Sequence, residues 1–193
     1  MIPAELLLGV ESASSRPAVI GRAFFLLLLA VWTVSLVRLG VSERVNESFM
    51  HLPNLVFHEA GHILFTPFGR FMTVLGGSLT QLLVPLACAA ALLWQTRDAF
   101  GAAVAAWWAG ESLIDVAPYI NDARSMQLVL LGGRTGSEVE GHDWEYLLNA
   151  LGVSHRDHTI AAIVHAIGVL VMTAALLWAA CVVLTQHRAL RER

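Results

Sequence analysis

The sequence contains no lysine; all twelve of its basic residues are arginine. Charged residues make up 14% of the 193 positions, where a soluble domain carries about 25%. So thin a charged complement argues against a water-exposed globule. A hydrophobic share of 56% and a mean hydropathy of +0.65 point to a membrane instead. Net charge is -3 and no basic run is present, which leaves no electrostatic footprint for nucleic acid. The two cysteines, Cys88 and Cys181, lie in separate apolar runs. They make neither a disulfide framework nor a cysteine zinc knuckle, and read as buried small hydrophobes. Arginine used to the exclusion of lysine suggests a GC-rich bacterial genome, and the expected location is a bacterial inner membrane, crossed several times.

The apolar runs set the expected architecture. Ala23–Val37, Leu52–Phe68, Val74–Trp94, Ala99–Ile120 and Thr159–Thr185 approach the roughly 20 residues that a bilayer demands, the second being short. The first is read as a retained helix, because no small-x-small cleavage site follows it. The tail "HRALRER" places arginines after the last run and favours a cytoplasmic C-terminus. Between the last two runs lies a polar segment, residues 121–158. Within it "DWEYLLNALG" puts Trp144, Leu147, Leu148 and Leu151 on one face, with Gly152 at the natural stop. The expected fold is all-α: one integral membrane domain over 1–193, a polytopic bundle of about five membrane segments plus a short amphipathic helix.

One apolar run carries chemistry. "NLVFHEAGHILF", residues 54–65, sets His58, Glu59 and His62 among lipid-compatible neighbours. Ionisable groups there are costly and mark a site. His58 and His62 are four apart, so one helix face aims both imidazoles at a single point. Glu59 sits one step round, where it reaches a water on the metal without binding the metal. That is the HExxH logic of two zinc ligands and a general base, with a zinc-bound hydroxide attacking a carbonyl. Ala60 and Gly61 are small enough for a helix or a substrate backbone to approach closely.

A catalytic zinc needs a third protein ligand. In "WWAGESLIDVAPYINDA", Glu111 and Asp115 are again four apart, at a depth matching the histidines if both runs cross the bilayer. Two imidazoles and one carboxylate leave the ion near +1, which Glu59 offsets. A second ionised carboxylate would make the site net negative in a low dielectric, so one of the pair is a ligand and the other supports it or is protonated. Asp122 and His142 are further alternatives.

"FHEAGH" on a membrane helix, then "GGSLTQLLVPL", then an acidic residue two helices on, resembles the site-2 protease clan of intramembrane zinc metalloproteases. The resemblance covers about residues 50–125. It implies one Zn2+ per chain, His58 and His62 as ligands, Glu59 as base and Asp115 as third ligand. It also implies a substrate-binding segment on Gly77, Ser78 and Gln81, where Gln81 stands in place of the clan's usual asparagine. The clan's "LDG" is missing; this chain has "LIDVAP". The implied activity is hydrolysis of peptide bonds in membrane-protein or peptide substrates, in or beside the bilayer. The same residues also suit a non-proteolytic membrane protein that keeps a zinc or polar site for structure or partner binding.

Three weaker features complete the expectations. "GRFMTVLGGS" has enough β-branched and aromatic content for an extended edge beside the metal, with Gly76 and Gly77 permitting close approach. His142 and Asp143 in "GHDWEY" suit a ligand pair, a gate or a helix cap, with Asp143 read first as the helix start. His155, Asp157 and His158 read as a solvated turn, and His165, Trp107 and Trp108 as packing residues.

Overall fold

Sixteen consecutive residues of "RAFFLLLLAVWTVSLV" offer only Arg22, Thr33 and Ser35 as polar side chains, apart from the Trp32 indole, and they form a helix because nothing in the run breaks one. In the computed structural model, which describes residues 4–9 and 15–192, this run lies in α2, Arg16–Leu39. The other helices are α1, Ala4–Leu8; α3, His51–Phe65; α4, Arg70–Trp94; α5, Ala99–Asn121; α6, Asp143–Ala150; and α7, Asp157–Arg191. Short 3-10 turns span Glu43–Glu47, Thr66–Phe68 and Ser154–Arg156. Among the described residues there is no strand, only an isolated bridge between Val129 and Thr135. The chain is all-helical, as expected.

Among the described residues, three stretches are long and apolar enough to cross a membrane: Arg16–Leu39, Arg70–Trp94 and Ser154–Arg191. On α2, Ile20, Phe24, Leu27 and Val31 recur about one turn apart and are 59–69% exposed. Water would not favour such a face; lipid would. Length and composition are therefore compatible with a membrane protein. Arg188 and Arg191 fall in the last turn of α7, while Arg193 lies outside the described residues. Cys181 is exposed on α7 and Cys88 half-buried on α4, so neither is the fully buried hydrophobe expected. A thiol on an apolar helix face meets lipid as readily as core.

The described chain separates into two compact units. One takes residues from 1–38, 84–110 and 169–193; the other comprises 39–83 and 111–168. In the first, Val19, Leu93, Phe100, Ala103, Ala179 and Val182 form an apolar core. There the buried Trp107 indole donates to Thr33 Oγ1 at 2.8 Å, which satisfies its only polar side-chain atom and makes it a packing residue.

The second unit holds the chemistry. Its centre is the α3–α4 hairpin, reversed at Gly69, whose φ of +86° few other residues adopt. The two helices meet backbone to backbone at Gly61 and Gly76. A Cβ built on Gly61 would stand 2.1 Å from the Gly76 carbonyl oxygen, so only glycine fits. The expected extended edge at residues 70–76 is absent, for this stretch is the first two turns of α4. Its glycines serve close approach by α3, and Thr73 bonds its hydroxyl to the Gly69 carbonyl at 3.0 Å, as a helical threonine does.

The polar segment is ordered by its own side chains. Asp122 is buried and accepts from the Gln127 and Leu128 backbone N–H groups, each at 2.9 Å, and from the Ser125 hydroxyl at 2.6 Å. Asp157, expected in a solvated turn, is wholly buried and takes a two-pronged contact from Arg124 at 2.8 Å per arm. That pair fastens the segment to the start of α7. The amphipathic helix is α6: Leu147 and Leu148 are buried, and Gly152 at φ +70° closes it. Leu151 falls just past its end and is exposed.

Candidate metal centre

Helix α3 presents His58 and His62 on the same face, with ring centroids 4.9 Å apart. Each ring has one nitrogen committed. His62 Nδ1 lies 2.9 Å from the Thr73 carbonyl oxygen, which can only accept, so this nitrogen carries the proton. His58 Nδ1 lies 3.2 Å from Gln81 Oε1 and donates in the same way. Both Nε2 atoms then point at one oxygen, Asp143 Oδ2, at 2.9 Å from His58 and 3.3 Å from His62. Two ring nitrogens and a carboxylate oxygen that meet in this way require positive charge between them. Either a proton sits on each ring or one metal ion is held by all three.

The donor set fits a metal ion. The three ligand atoms lie within 4.8 Å of one another, and the side chains of His58 and Asp143 are about nine-tenths buried. Nδ1–H groups tied to fixed acceptors are the usual support for histidine ligands, since they set the tautomer and the ring plane. Gly77 closes the site from behind: a Cβ there would come within 2.6 Å of His58 Nε2 and 2.7 Å of His62 Cε1. In Gly77→Ala both rings must move, and metal affinity is expected to fall about 100-fold while helix content is kept, as read by competition with a chelator and by circular dichroism.

Asp143 takes its position from neighbours on three elements. It is the first residue of α6, but the cap is His142, whose Nδ1 accepts from the Glu145 N–H at 3.2 Å. Capping by His142 leaves the Asp143 carboxylate free to turn toward α3. The Asp143 N–H donates to the Tyr119 hydroxyl of α5 at 2.9 Å, and Tyr119 packs on the His142 ring with centroids 4.4 Å apart. Burial would raise the Asp143 carboxyl, but hydrogen bonds from His58 and His62 outweigh it and hold its pKa below the ordinary value. Burial also pushes the His142 imidazole below its ordinary pKa, against the pull of Asp122. Both His142 nitrogens are in use, since Nε2 lies 3.3 Å from Asp122 Oδ2.

The other sequence-derived site residues fall around this centre rather than on it. Asp115, expected as third ligand, has its carboxylate filled by other partners: Oδ1 faces His51 at 2.9 Å and Asn46 at 3.1 Å, and Oδ2 faces Gln81 at 2.8 Å and Asn54 at 3.2 Å. Glu111 is fully buried one turn before it and accepts from Asn54 at 2.9 Å. Asp122 and His142 build the loop and the cap described above. Ser78 accepts from the Trp144 indole at 3.2 Å, which ties α6 to α4. Gly77 backs the imidazoles, and Gln81 bridges His58 to Asp115.

Asp143 is the residue that sequence reasoning read first as a helix start, with a His142–Asp143 ligand pair as an alternative. It lies 85 positions from His58 along the chain, so no periodicity could join them. The available signal was "HDW" at the head of an amphipathic helix, where either polar residue could cap and the other would be left over.

A cavity of about 630 Å³ adjoins the centre. Glu59, half-buried, lines it together with His51, His58, His62, Tyr119 and Asp143, and Leu128–Leu131 of the polar segment form another part of its wall. No family model matches this chain, and neither a curated protein nor a solved structure does.

Proposed function

We propose that this chain is a membrane-embedded zinc metalloprotease of the site-2 protease type, hydrolysing peptide bonds in or beside the bilayer. His58, His62 and Asp143 hold the zinc, one ion per chain, and Glu59 is the general base. In this reading α3 and α5 also cross or enter the membrane, making five segments with α2, α4 and α7. The observation that carries it is the meeting of two oriented Nε2 atoms and one buried carboxylate oxygen at a single point, beside a cavity that Glu59 also lines.

Zinc held there would bring the pKa of a water toward 7 and polarise a substrate carbonyl. The chain's own residues supply the rest. Glu59, one position round α3 from His58, takes the proton of the attacking water and hands it to the departing amine. Gln81 and Thr73 keep the two rings turned the right way, and Tyr119 and His142 hold Asp143 against them. Leu55, Val116 and Leu128–Leu131 give the cavity an aliphatic wall that suits an apolar peptide. A substrate helix has to unwind locally before its carbonyl can be reached, because helical backbone groups are already paired.

Purified full-length protein is expected to carry about one zinc per chain by elemental analysis. Glu59→Gln should retain that zinc and lose cleavage of transmembrane peptides reconstituted in vesicles by a factor of about 10²–10⁴. Protein without zinc overturns the proposal. Zinc with no cleavage of any such peptide moves the function to a structural or partner-binding metal site.

A further inference from the structure

Resting on the metal-site reading above, we infer that Asp115 is a positioning residue for the metal, acting on His58 through Gln81. Four neutral or cationic donors surround the Asp115 carboxylate, which is 4% exposed. One of these, Gln81 Nε2 at 2.8 Å, matters for the metal because the other end of the same amide touches His58. An amide has a donor end and an acceptor end, and rotating it by half a turn exchanges them. With the NH2 group toward Asp115, the carbonyl oxygen must face His58 Nδ1, which then carries the ring proton and leaves the Nε2 lone pair for the metal. Rotated, the NH2 group would face His58, Nδ1 would have to accept, and the ring proton would move to Nε2, where it blocks ligation.

The imidazole alone does not choose between these two states, since both make one hydrogen bond to Gln81. Asp115 chooses. A carboxylate accepts only, so the rotated amide would set two oxygens against each other about 2.8 Å apart in a buried place. Asn46, His51 and Asn54 hold the carboxylate so that it cannot turn away. Asp115 thereby fixes a tautomer on a ring it does not touch.

The test moves the charge. Asp115→Asn keeps the shape but offers Gln81 either an acceptor or a donor, so both amide orientations become available. In full-length protein in detergent, titrated with Zn2+ against a competing chelator, this variant is expected to bind about 10- to 100-fold more weakly. The double variant Asp115→Asn with Gln81→Glu carries the negative charge at position 81. There the new carboxylate accepts from His58, while the amide introduced at position 115 donates to it. Its affinity should return to within about threefold of wild type. A second readout needs no metal. Histidine 15N shifts, read in an Asp143→Ala background so that no carboxylate faces Nε2 and assigned with His58→Gln, should show the His58 proton on Nδ1 when position 115 is Asp and divided between the nitrogens with Asp115→Asn added.

Unchanged affinity and unchanged tautomer in Asp115→Asn overturn the inference. So does a loss that the double variant fails to recover, because Asp115 would then act through packing alone. Wild-type protein that takes up no zinc defeats the proposed function instead, and the nitrogen shifts still decide the role of Asp115.

Discussion

Asp143→Ala is expected to abolish stoichiometric zinc, lowering affinity by on the order of a thousandfold, and to abolish cleavage with it. Structural zinc sites bind with about 10–16 kcal/mol shared over their ligands, so one of three protein ligands accounts for several kcal/mol. Asp115→Ala provides the contrast. It removes a carboxylate from the neighbouring network but leaves all three ligand atoms, so zinc weakens and still binds at saturating concentration. Elemental analysis of the two variants after gel filtration separates them. Zinc retained by Asp143→Ala and lost by Asp115→Ala would restore Asp115 as the ligand. Helix content should stay near wild type in both, since Asp143 is not the cap of α6 and His142 still is.

Gly61→Ala is expected to destabilise the protein by about 3 kcal/mol or more, because the new methyl would stand 2.1 Å from the Gly76 carbonyl oxygen and 2.7 Å from Thr80 Oγ1. A backbone oxygen cannot swing aside as a side chain can, so α3 and α4 must separate. For a chain of this size that loss lowers the melting temperature by roughly 6–12 °C. Gly21→Ala on α2 is the control. Nothing lies within 4 Å of its added methyl, and the intrinsic preference for alanine in a helix should leave the melting temperature unchanged or slightly higher. Equal effects of the two substitutions, measured by thermal unfolding in one detergent, would mean that the hairpin contact does not hold α3 against α4.

Both predictions concern the α3–α4 hairpin and what meets it, and the two halves of that hairpin were not equally legible. His58, Glu59 and His62 announce themselves because helical geometry turns a spacing of four residues into a shared face, and because charged groups in an apolar run need a reason. Gly76 and Gly77 were visible as glycines, but their use was not. Glycine marks either an extended edge or a close helix approach, and only the partner decides. Here the partners are Gly61 and the two imidazoles.

The carboxylates show the same division more sharply. Composition, apolar runs and turn residues by themselves determined an all-helical chain, the place of its long helices, the short helix α6 and two of the three clustered residues His58, His62 and Asp143. These follow from local physics: hydrophobic periodicity, helix stop signals and i, i+4 geometry. Which acidic side chain meets the histidines depends instead on where residues 143 and 115 come to rest relative to 58 and 62, and on which neighbours reach each carboxylate first. Four donors surround Asp115. Asp143, relieved of capping by His142 and held by Tyr119, is the carboxylate left to turn inward. Depth and charge favoured Asp115, and competition for hydrogen-bond donors, which exists only in the folded chain, gave the place beside the histidines to Asp143.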